Sequence, residues 1–242
     1  MQVTAELSSF ILIFQEENIS PSPTFIMEYE NKSGKYYNKS RPEMQALLPK
    51  NASKILDVGC GEARMAEELK KKFSIEVWGI EFMESEASIA AQKLDYVIND
   101  TIENSMKKLP DNYFDTIFFN DVLEHLANPN EVLKNIRSKL TKDGKIISSI
   151  PNVRYHKVFQ QYLFKKNWKY ERAGVMDFTH LRFFTSKSIK KLFEDAGYEI
   201  QYHKGINKTK SLMPYIYNIF LFSTAIDMFY VQFATIARKA TK

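Results

Sequence analysis

Ile55-Leu56-Asp57-Val58-Gly59-Cys60-Gly61-Glu62-Ala63-Arg64-Met65-Ala66 is the stretch that decides the fold of this chain. An apolar run leads into an acidic residue, then two glycines separated by one residue, then a helical pattern. Glycines at such a bend let the backbone approach a ligand closely and adopt torsions that a side chain forbids. The helix that follows contributes N–H groups at its first turn. A bend of this kind at the carboxyl end of a first strand is a nucleotide-type cofactor site.

Two cofactor classes compete for that bend. A dinucleotide fingerprint, G-x-G-x-x-G, needs its third glycine at the position of Arg64. A phosphate-binding P-loop is excluded, because no Gly-Lys-Ser/Thr follows. The stretch resembles the D-x-G-x-G-x-G motif of class I S-adenosylmethionine (SAM) methyltransferases, with Ala63 standing where the third glycine usually sits. Alanine keeps the packing small, but a positive φ there suits it poorly. The resemblance implies SAM as cofactor, S-adenosylhomocysteine as product, and Asp57, Gly59, Cys60 and Gly61 as the cofactor loop.

The 242 residues suffice for one α/β domain with additions. A hydrophobic content of 44% with 26% charged residues is that of a water-soluble globular protein, and a net charge of +5 is a modest basic excess. The single cysteine, Cys60, precludes an internal disulfide and a cysteine-based zinc cluster, and fits a reducing cytoplasm. The apolar run Phe10 to Phe14 is short and lacks the basic leader of a secretory signal. The expectation is a cytoplasmic protein.

Residues 1–40 read as an N-terminal extension or cap, with Pro21, Pro23 and a polar run from Asn31 to Lys39. Residues 41–242 read as the methyltransferase-like domain, opened by a short helix at Arg41-Pro42-Glu43-Met44. Apolar patterning predicts strands at 54–58, 75–80, 95–98, 114–120 and 144–150, with Asp143-Gly144 as the turn into the last. Helices are predicted at 63–72, 84–93, 101–108 and 130–139. That alternation argues for a parallel sheet with helices on both faces. A helix at 186–196 follows, with Thr185 as N-cap and Gly197 as stop, then strands at 198–204 and 228–237. The family resemblance makes this a Rossmann-like, seven-stranded sheet with a helical lid inserted after the fifth strand.

Glu81 closes the second strand about twenty residues beyond the glycines, where a carboxylate can accept both hydrogen bonds of a ribose diol. Phe82 and Met83 follow and suit the adenine faces. In the resembling family the residues after the third strand hold the adenine amino group and cover its ring. That role falls on Asp100, Thr101 and Ile102; Asp100 is equally a natural helix N-cap. Asn120-Asp121-Val122-Leu123-Glu124-His125-Leu126 resembles the "DVLEHL" signature of small-molecule methyltransferases, which places Asn120 at the sulfonium end. The Asn/Asp-Pro-Pro-aromatic run of nucleic-acid amino methyltransferases is absent, which argues against a nucleic-acid acceptor.

Methyl transfer from a sulfonium is an in-line displacement, so the protein chiefly aligns the nucleophile and excludes water. An alcohol acceptor also needs a base titrating near neutrality, for which histidine is suited. His125 and His180 are the candidates, with no metal expected. His180 lies in Asp177-Phe178-Thr179-His180-Leu181-Arg182-Phe183-Phe184-Thr185, which resembles the D-x-T-H-x-R-x-F-T segment of methyltransferases of glycan and surface-polysaccharide biosynthesis. Glu124 is a candidate to orient His125, and Arg182 to hold an acceptor anion or pair with Asp177. Tyr36, Tyr37 and Arg41 precede the first strand where related enzymes fold a cap over SAM.

Residues 152–184, rich in aromatic and basic side chains, read as the acceptor-side insertion, and 211–226 as an apolar one. Pro214, Asn218 and Asp227 interrupt the apolar run Leu212–Phe229, against a membrane span. Internal packing or a homodimer contact is the plain expectation for that run; peripheral membrane contact is the other. The expected function is methyl transfer to oxygen or nitrogen of a small molecule, with a sugar or glycan precursor implied by the nonapeptide. The rival is a catalytically idle SAM-binding module.

Overall fold

The computed structural model describes residues 38–240, all within the second of two units into which the chain divides, Lys32–Lys242. Tyr36 and Tyr37, and nearly all of the expected N-terminal cap, lie outside the described residues. From Pro42 the elements are α1 (Pro42–Gln45), β1 (Lys54–Val58), α2 (Arg64–Phe73), β2 (Glu76–Glu81), α3 (Glu84–Ala90), β3 (Tyr96–Asn99), α4 (Ile102–Ser105) and β4 (Phe114–Asn120). Then come α5 (Pro129–Ile136), β5 (Leu140–Pro151), α6 (His156–Leu163), α7 (Ser186–Asp195), β6 (Tyr198–Lys208), α8 (Met213–Phe220) and β7 (Tyr230–Lys239).

The seven strands form one sheet in the order β3-β2-β1-β4-β5-β7-β6. β1 to β5 run parallel, and β7 is antiparallel to both β5 and β6. The chain reverses its direction of travel across the sheet between β1 and β4, the switch point where open α/β sheets bind ligands.

Strand side chains alternate between two cores, as a period of two requires. Leu56, Val58, Ile117, Phe119, Ile146 and Ile150 face one layer, with Val132, Leu133 and Ile136 of α5 and Ile189 and Phe193 of α7. Ile55, Val77, Phe118 and Ile147 face the other, with Met44 of α1 and Met65, Ala66 and Leu69 of α2. Helices therefore cover both faces, as expected. α7 begins at the foreseen cap: Ser188 N–H donates to Thr185 Oγ1 at 3.2 Å, and Thr185 N–H returns to Ser188 Oγ at 2.9 Å. Gly197 ends it at φ +82°.

Several boundaries differ from the sequence reading. β5 starts at Leu140, so Asp143-Gly144 lies inside the strand, where the register against β4 jumps from Phe114↔Leu140 to Thr116↔Lys145. That irregularity absorbs the turn signal. The segments 101–108 and 130–139 each end in a tighter 3-10 turn, Met106–Lys108 and Arg137–Lys139. β6 runs on to Lys208, and β7 begins at Tyr230 because Ile226–Phe229 forms a 3-10 turn. The insertion after β5 contains a helix, α6, as expected, while the DVLEHL stretch turns through a 3-10 segment, Leu123–His125. The run after β6 forms α8, which buries Pro214, Tyr217 and Asn218 but turns Leu212, Tyr215, Ile216, Ile219 and Phe220 to the surface. Internal packing therefore accounts for only one side of it.

Candidate active site

The glycine bend leaves β1 with Gly59 at φ +68°, Gly61 at +55° and Ala63 at +59°. Gly59 has no room for a larger residue, since an added Cβ would lie 2.7 Å from Val122 Cγ2. Ala63 is thus left-handed without being glycine, the strain foreseen from its place in the motif. The bend's amides are used within the protein. Gly59 and Cys60 N–H donate to Ile80 O at 2.8 and 3.1 Å, and Gly61 N–H donates to Glu81 Oε2 at 2.8 Å. A pyrophosphate would need those amides; SAM carries no phosphate and does not.

Glu81 also accepts from Met83 N–H through Oε1 at 3.0 Å. A carboxylate has about four lone-pair sites, so two amide bonds leave capacity for a diol. Burial pushes its pKa up, and the amide bonds of Met83 and Gly61 pull it back. Asp57 lies beneath the bend, 4% exposed, and burial raises its pKa to about 7 against the lowering pull of Arg41. Cys60 turns its thiol into the core under Gly79, whose added Cβ would meet Sγ at 2.8 Å. Burial raises that thiol's pKa well above normal.

The end of β3 joins this corner. Asp100 N–H donates to Glu81 O at 3.1 Å, and Asn99 Nδ2 donates to Glu81 O and Phe82 O at 2.9 and 3.1 Å. Thr101, not Asp100, is the N-cap of α4, accepting from Asn104 N–H. Asp100 instead accepts from Thr101 N–H at 2.9 Å and pairs with Lys108 at 2.9 Å, which lowers its pKa. Met83 and Ile102 are buried and Phe82 and Thr101 half-buried.

At the exit of β4, Asn120 is 8% exposed and donates from Nδ2 to Met65 Sδ at 3.5 Å. Its Oδ1 is buried without a hydrogen-bond partner among the described residues. An orphaned carbonyl oxygen is costly to bury, and a cationic sulfonium or ammonium placed against it removes that cost. This vacancy in the hydrogen-bond network, with the spare capacity of Glu81 and the close approach allowed by Gly59, fits SAM.

Arg41 belongs to this end as well. Its guanidinium pairs with Asp121 at 2.6 Å and donates to Ser149 Oγ at 3.3 Å, while Ser149 Oγ donates to Asp121 Oδ1 at 2.8 Å. Gln232 of β7 donates to the same oxygen. Asp121, Ser149 and Gln232 were not singled out in the sequence. Asp121 stood inside the quoted signature, but only the fold brings Gln232 from the far end of the chain.

The two histidine motifs form one structure. The loop through residues 177–182 docks on the Leu123–His125 turn, with Leu181 and Arg182 N–H both donating to Glu124 O at 2.9 and 3.0 Å. Asp177 Oδ1 accepts from Thr179 N–H and Oγ1–H at 2.9 and 2.7 Å. Arg182 donates to Ala127 O at 2.6 Å, which makes it a strut for this loop and not the partner of Asp177. His125 Nδ1 lies 3.0 Å from Thr179 O, and His180 Nδ1 lies 3.0 Å from Val175 O. A carbonyl only accepts, so both Nδ1 atoms carry the proton and both Nε2 atoms are the basic nitrogens. The rings sit 4.7 Å apart.

Glu124 lies close to His180, with 3.9 Å between Oε1 and Nε2, and also near His125, the partner expected for it. The carboxyl is 1% exposed, and neither oxygen has a hydrogen-bond partner among the described residues. Burial, reinforced by Asp121, raises its pKa well above the carboxylate range. Ligating atoms of Glu124, His125 and His180 lie within 4.8 Å of one another. Chemically the trio can store and relay a proton, or close on a divalent cation.

A parallel sheet with a glycine bend at its switch point, an acid closing β2 and a seventh strand antiparallel to its neighbours is the class I SAM-dependent methyltransferase architecture. The model of the methyltransferase-domain family matches residues 30–203, and the chain belongs to that family. Its cofactor is SAM. A ubiquinone biosynthesis O-methyltransferase of Yersinia enterocolitica is 30% identical over 106 residues, 41% of this chain and 43% of that protein. Phosphoethanolamine N-methyltransferase 1 of Arabidopsis thaliana is 23% identical over 146 residues, 55% and 29% of the two chains. The matched region thus spans less than half the length of these curated relatives. Among solved structures, a SAM-dependent methyltransferase of Archaeoglobus fulgidus superposes with a TM-score of 0.61 at 22% identity, over 90% of this chain and all of that one. One of Thermotoga maritima, described as a possible histamine N-methyltransferase, gives 0.62 at 20% identity over 89% and 99%.

Proposed function

We propose that this chain transfers the methyl group of SAM to an oxygen or nitrogen of a small-molecule acceptor, with a sugar or glycan precursor as the first class to test. The observation that carries it is the Glu124–His125–His180 cluster, in which Glu124 and His180 are buried and His125 half-buried, beside the same β4 exit as the orphaned Asn120 oxygen. A cofactor end and a proton-handling group thereby share one short stretch. The relatives are named for O- and N-methylation, which accords with this pairing. The sugar class rests on the 177–185 nonapeptide alone.

When bound, SAM supplies an electrophilic methyl on a sulfonium. The bend at Asp57, Gly59, Cys60 and Gly61 would receive it, Glu81 would accept from the ribose, and Phe82, Met83, Asp100, Thr101 and Ile102 would enclose the adenine. Asn120 Oδ1 would hold the cationic end. The acceptor's proton passes to a basic Nε2 of the His125–His180 pair, beside which the Glu124 carboxyl lies.

The test is incubation of the protein with methyl-labelled SAM and fractionated metabolites and lipids, followed by identification of the labelled product. Label in no fraction, despite SAM binding, would favour the idle module. A second reading rests on the 4.8 Å grouping: if chelation abolishes turnover and a divalent cation restores it, the trio ligates a metal instead.

A further inference from the structure

We propose that α6, α8 and the loop after α8 form a basic-apolar lobe that docks on an anionic lipid bilayer. On the reading of the preceding section, it brings a membrane-borne acceptor to the methyl donor. α8 is an inverted amphipathic helix. Its inner face is Pro214, Tyr217 and Asn218, while Leu212, Tyr215, Ile216 and Ile219, at spacings of three and four, face outward. The exposures are large, 73% for both Leu212 and Ile219, 76% for Phe220 and 90% for Phe222. Singly exposed apolar residues are ordinary, but a contiguous protruding set marks an interaction site.

The protrusion is built. Asn218, 8% exposed, donates to Pro214 O and Ala225 O at 2.8 and 3.1 Å and accepts from Ala225 N–H at 3.0 Å. It thereby closes the loop that holds Phe222 and Ser223 at φ +49° and +60°. Two adjacent left-handed residues without a glycine persist only where the surroundings enforce them. α6 packs alongside: Gln160 Nε2 donates to the Tyr217 hydroxyl at 2.7 Å, and the Phe164 and Tyr217 rings stack at 6.0 Å. This joins exposed Tyr162, Leu163, Phe164 and Trp168 to the same surface.

Charge selects the occupant. Segments 154–172 and 208–229 hold eight Lys and Arg against two Asp and Glu, an excess larger than the +5 of the whole chain. Lys165, Lys166, Lys169, Lys208 and Lys210 are all exposed. Two copies of so basic a lobe repel each other, whereas anionic headgroups attract it, and Trp and Tyr favour the interface between headgroup and acyl chain. No described helix is long and apolar enough to cross a membrane, so the contact is interfacial. Topology aims it: the insertion after β5 and the run after β6 both leave the carboxyl edge of the sheet. Asn152 ties them by donating to Asp227 O and Tyr230 O at 2.9 and 3.0 Å.

The test uses the full chain with vesicles of phosphatidylcholine alone, or of equal parts phosphatidylcholine and phosphatidylglycerol. Sedimentation with the anionic vesicles, with a blue shift of Trp168 emission, is expected. Phe220→Ser and Phe222→Ser should each weaken partitioning by about tenfold or more. The triple change Lys165→Glu, Lys166→Glu, Lys169→Glu should remove the preference for anionic vesicles. SAM binding, measured by calorimetry on the same proteins, should stay unchanged. Wild type remaining in the supernatant with both vesicles, or binding equally after Phe222→Ser, overturns the docking surface while leaving the methyltransferase reading intact. A concentration-dependent dimer abolished by Phe220→Ser would hand the surface to a second copy. Vesicle binding without any SAM binding would overturn the enzyme reading alone.

Discussion

Ala63 and Gly59 stand four residues apart with nearly the same left-handed torsions, yet they will respond differently to substitution. Relieving Ala63 gains roughly 1–2 kcal/mol of backbone strain. Glycine there loses about as much, through added unfolded-state entropy of about 0.5–1 kcal/mol and a buried methyl of about 0.8 kcal/mol. Ala63→Gly should therefore shift stability by less than about 1 kcal/mol in urea denaturation. Gly59→Ala meets both strain and the Val122 methyl, and should cost about 2–5 kcal/mol. Asp57 offers a second test at this scale. Its folded pKa of about 7 lies above the unfolded value. Its contribution to stability is thus complete below roughly pH 4 and is lost as pH rises through about 7. A bound cation favours the ionised carboxylate, so SAM affinity should rise with pH through that window and release protons on binding. Asp57→Asn should flatten the profile; calorimetry in buffers of different ionisation enthalpy reads both quantities, and a flat wild-type profile would refute the coupling.

At the scale of elements, the turn after β4 and the 177–184 loop act as a unit. His180→Ala should lower turnover by about 10²- to 10⁴-fold, as loss of a general base does, with little change in SAM affinity. Unchanged turnover on a genuine acceptor would remove His180 from the reaction. Glu124→Gln should lower turnover and shift the acid limb of the rate profile; a structural role alone would leave that limb in place. Thr185→Ala breaks the cap of α7 and should cost about 1 kcal/mol in thermal unfolding.

These elements also show how much was legible beforehand. Strands β1, β2 and β4 alternate or run apolar over whole spans, so burial speaks directly through the residues, and the glycine bend and Thr185 cap are local chemistry. The start of β5 was hidden because Asp143-Gly144 carries a turn signal that pairing with β4 overrides. Adjacency pairs Glu124 with His125, but only the docking of a loop over fifty residues away brings His180 to the same carboxyl. A helix in the insertion after β5 followed from the family resemblance, but the bounds of α6 and the outward face of α8 were not legible, because apolar and aromatic residues there stand on both sides of the helix.

For the molecule as a whole, the corner formed by β1, β2, β3 and β4 predicts that SAM holds several elements together. At about 100 times its dissociation constant it adds about 2.7 kcal/mol. For a chain of this size that raises the melting temperature by roughly 5–10 °C, and absence of any shift in a thermal scan would contradict the site. The order of strands has a different kind of consequence. β7 follows β6 in sequence but sits between β5 and β6 in the sheet. While a ribosome is still making residues 230–239, β6 has no neighbour and β5 has an open margin. The nascent protein must wait, with those edges bare, for its final strand to be threaded home. Chaperone demand should peak at that moment of synthesis, and release of the chain short of Tyr230 should yield aggregate in place of a smaller working enzyme.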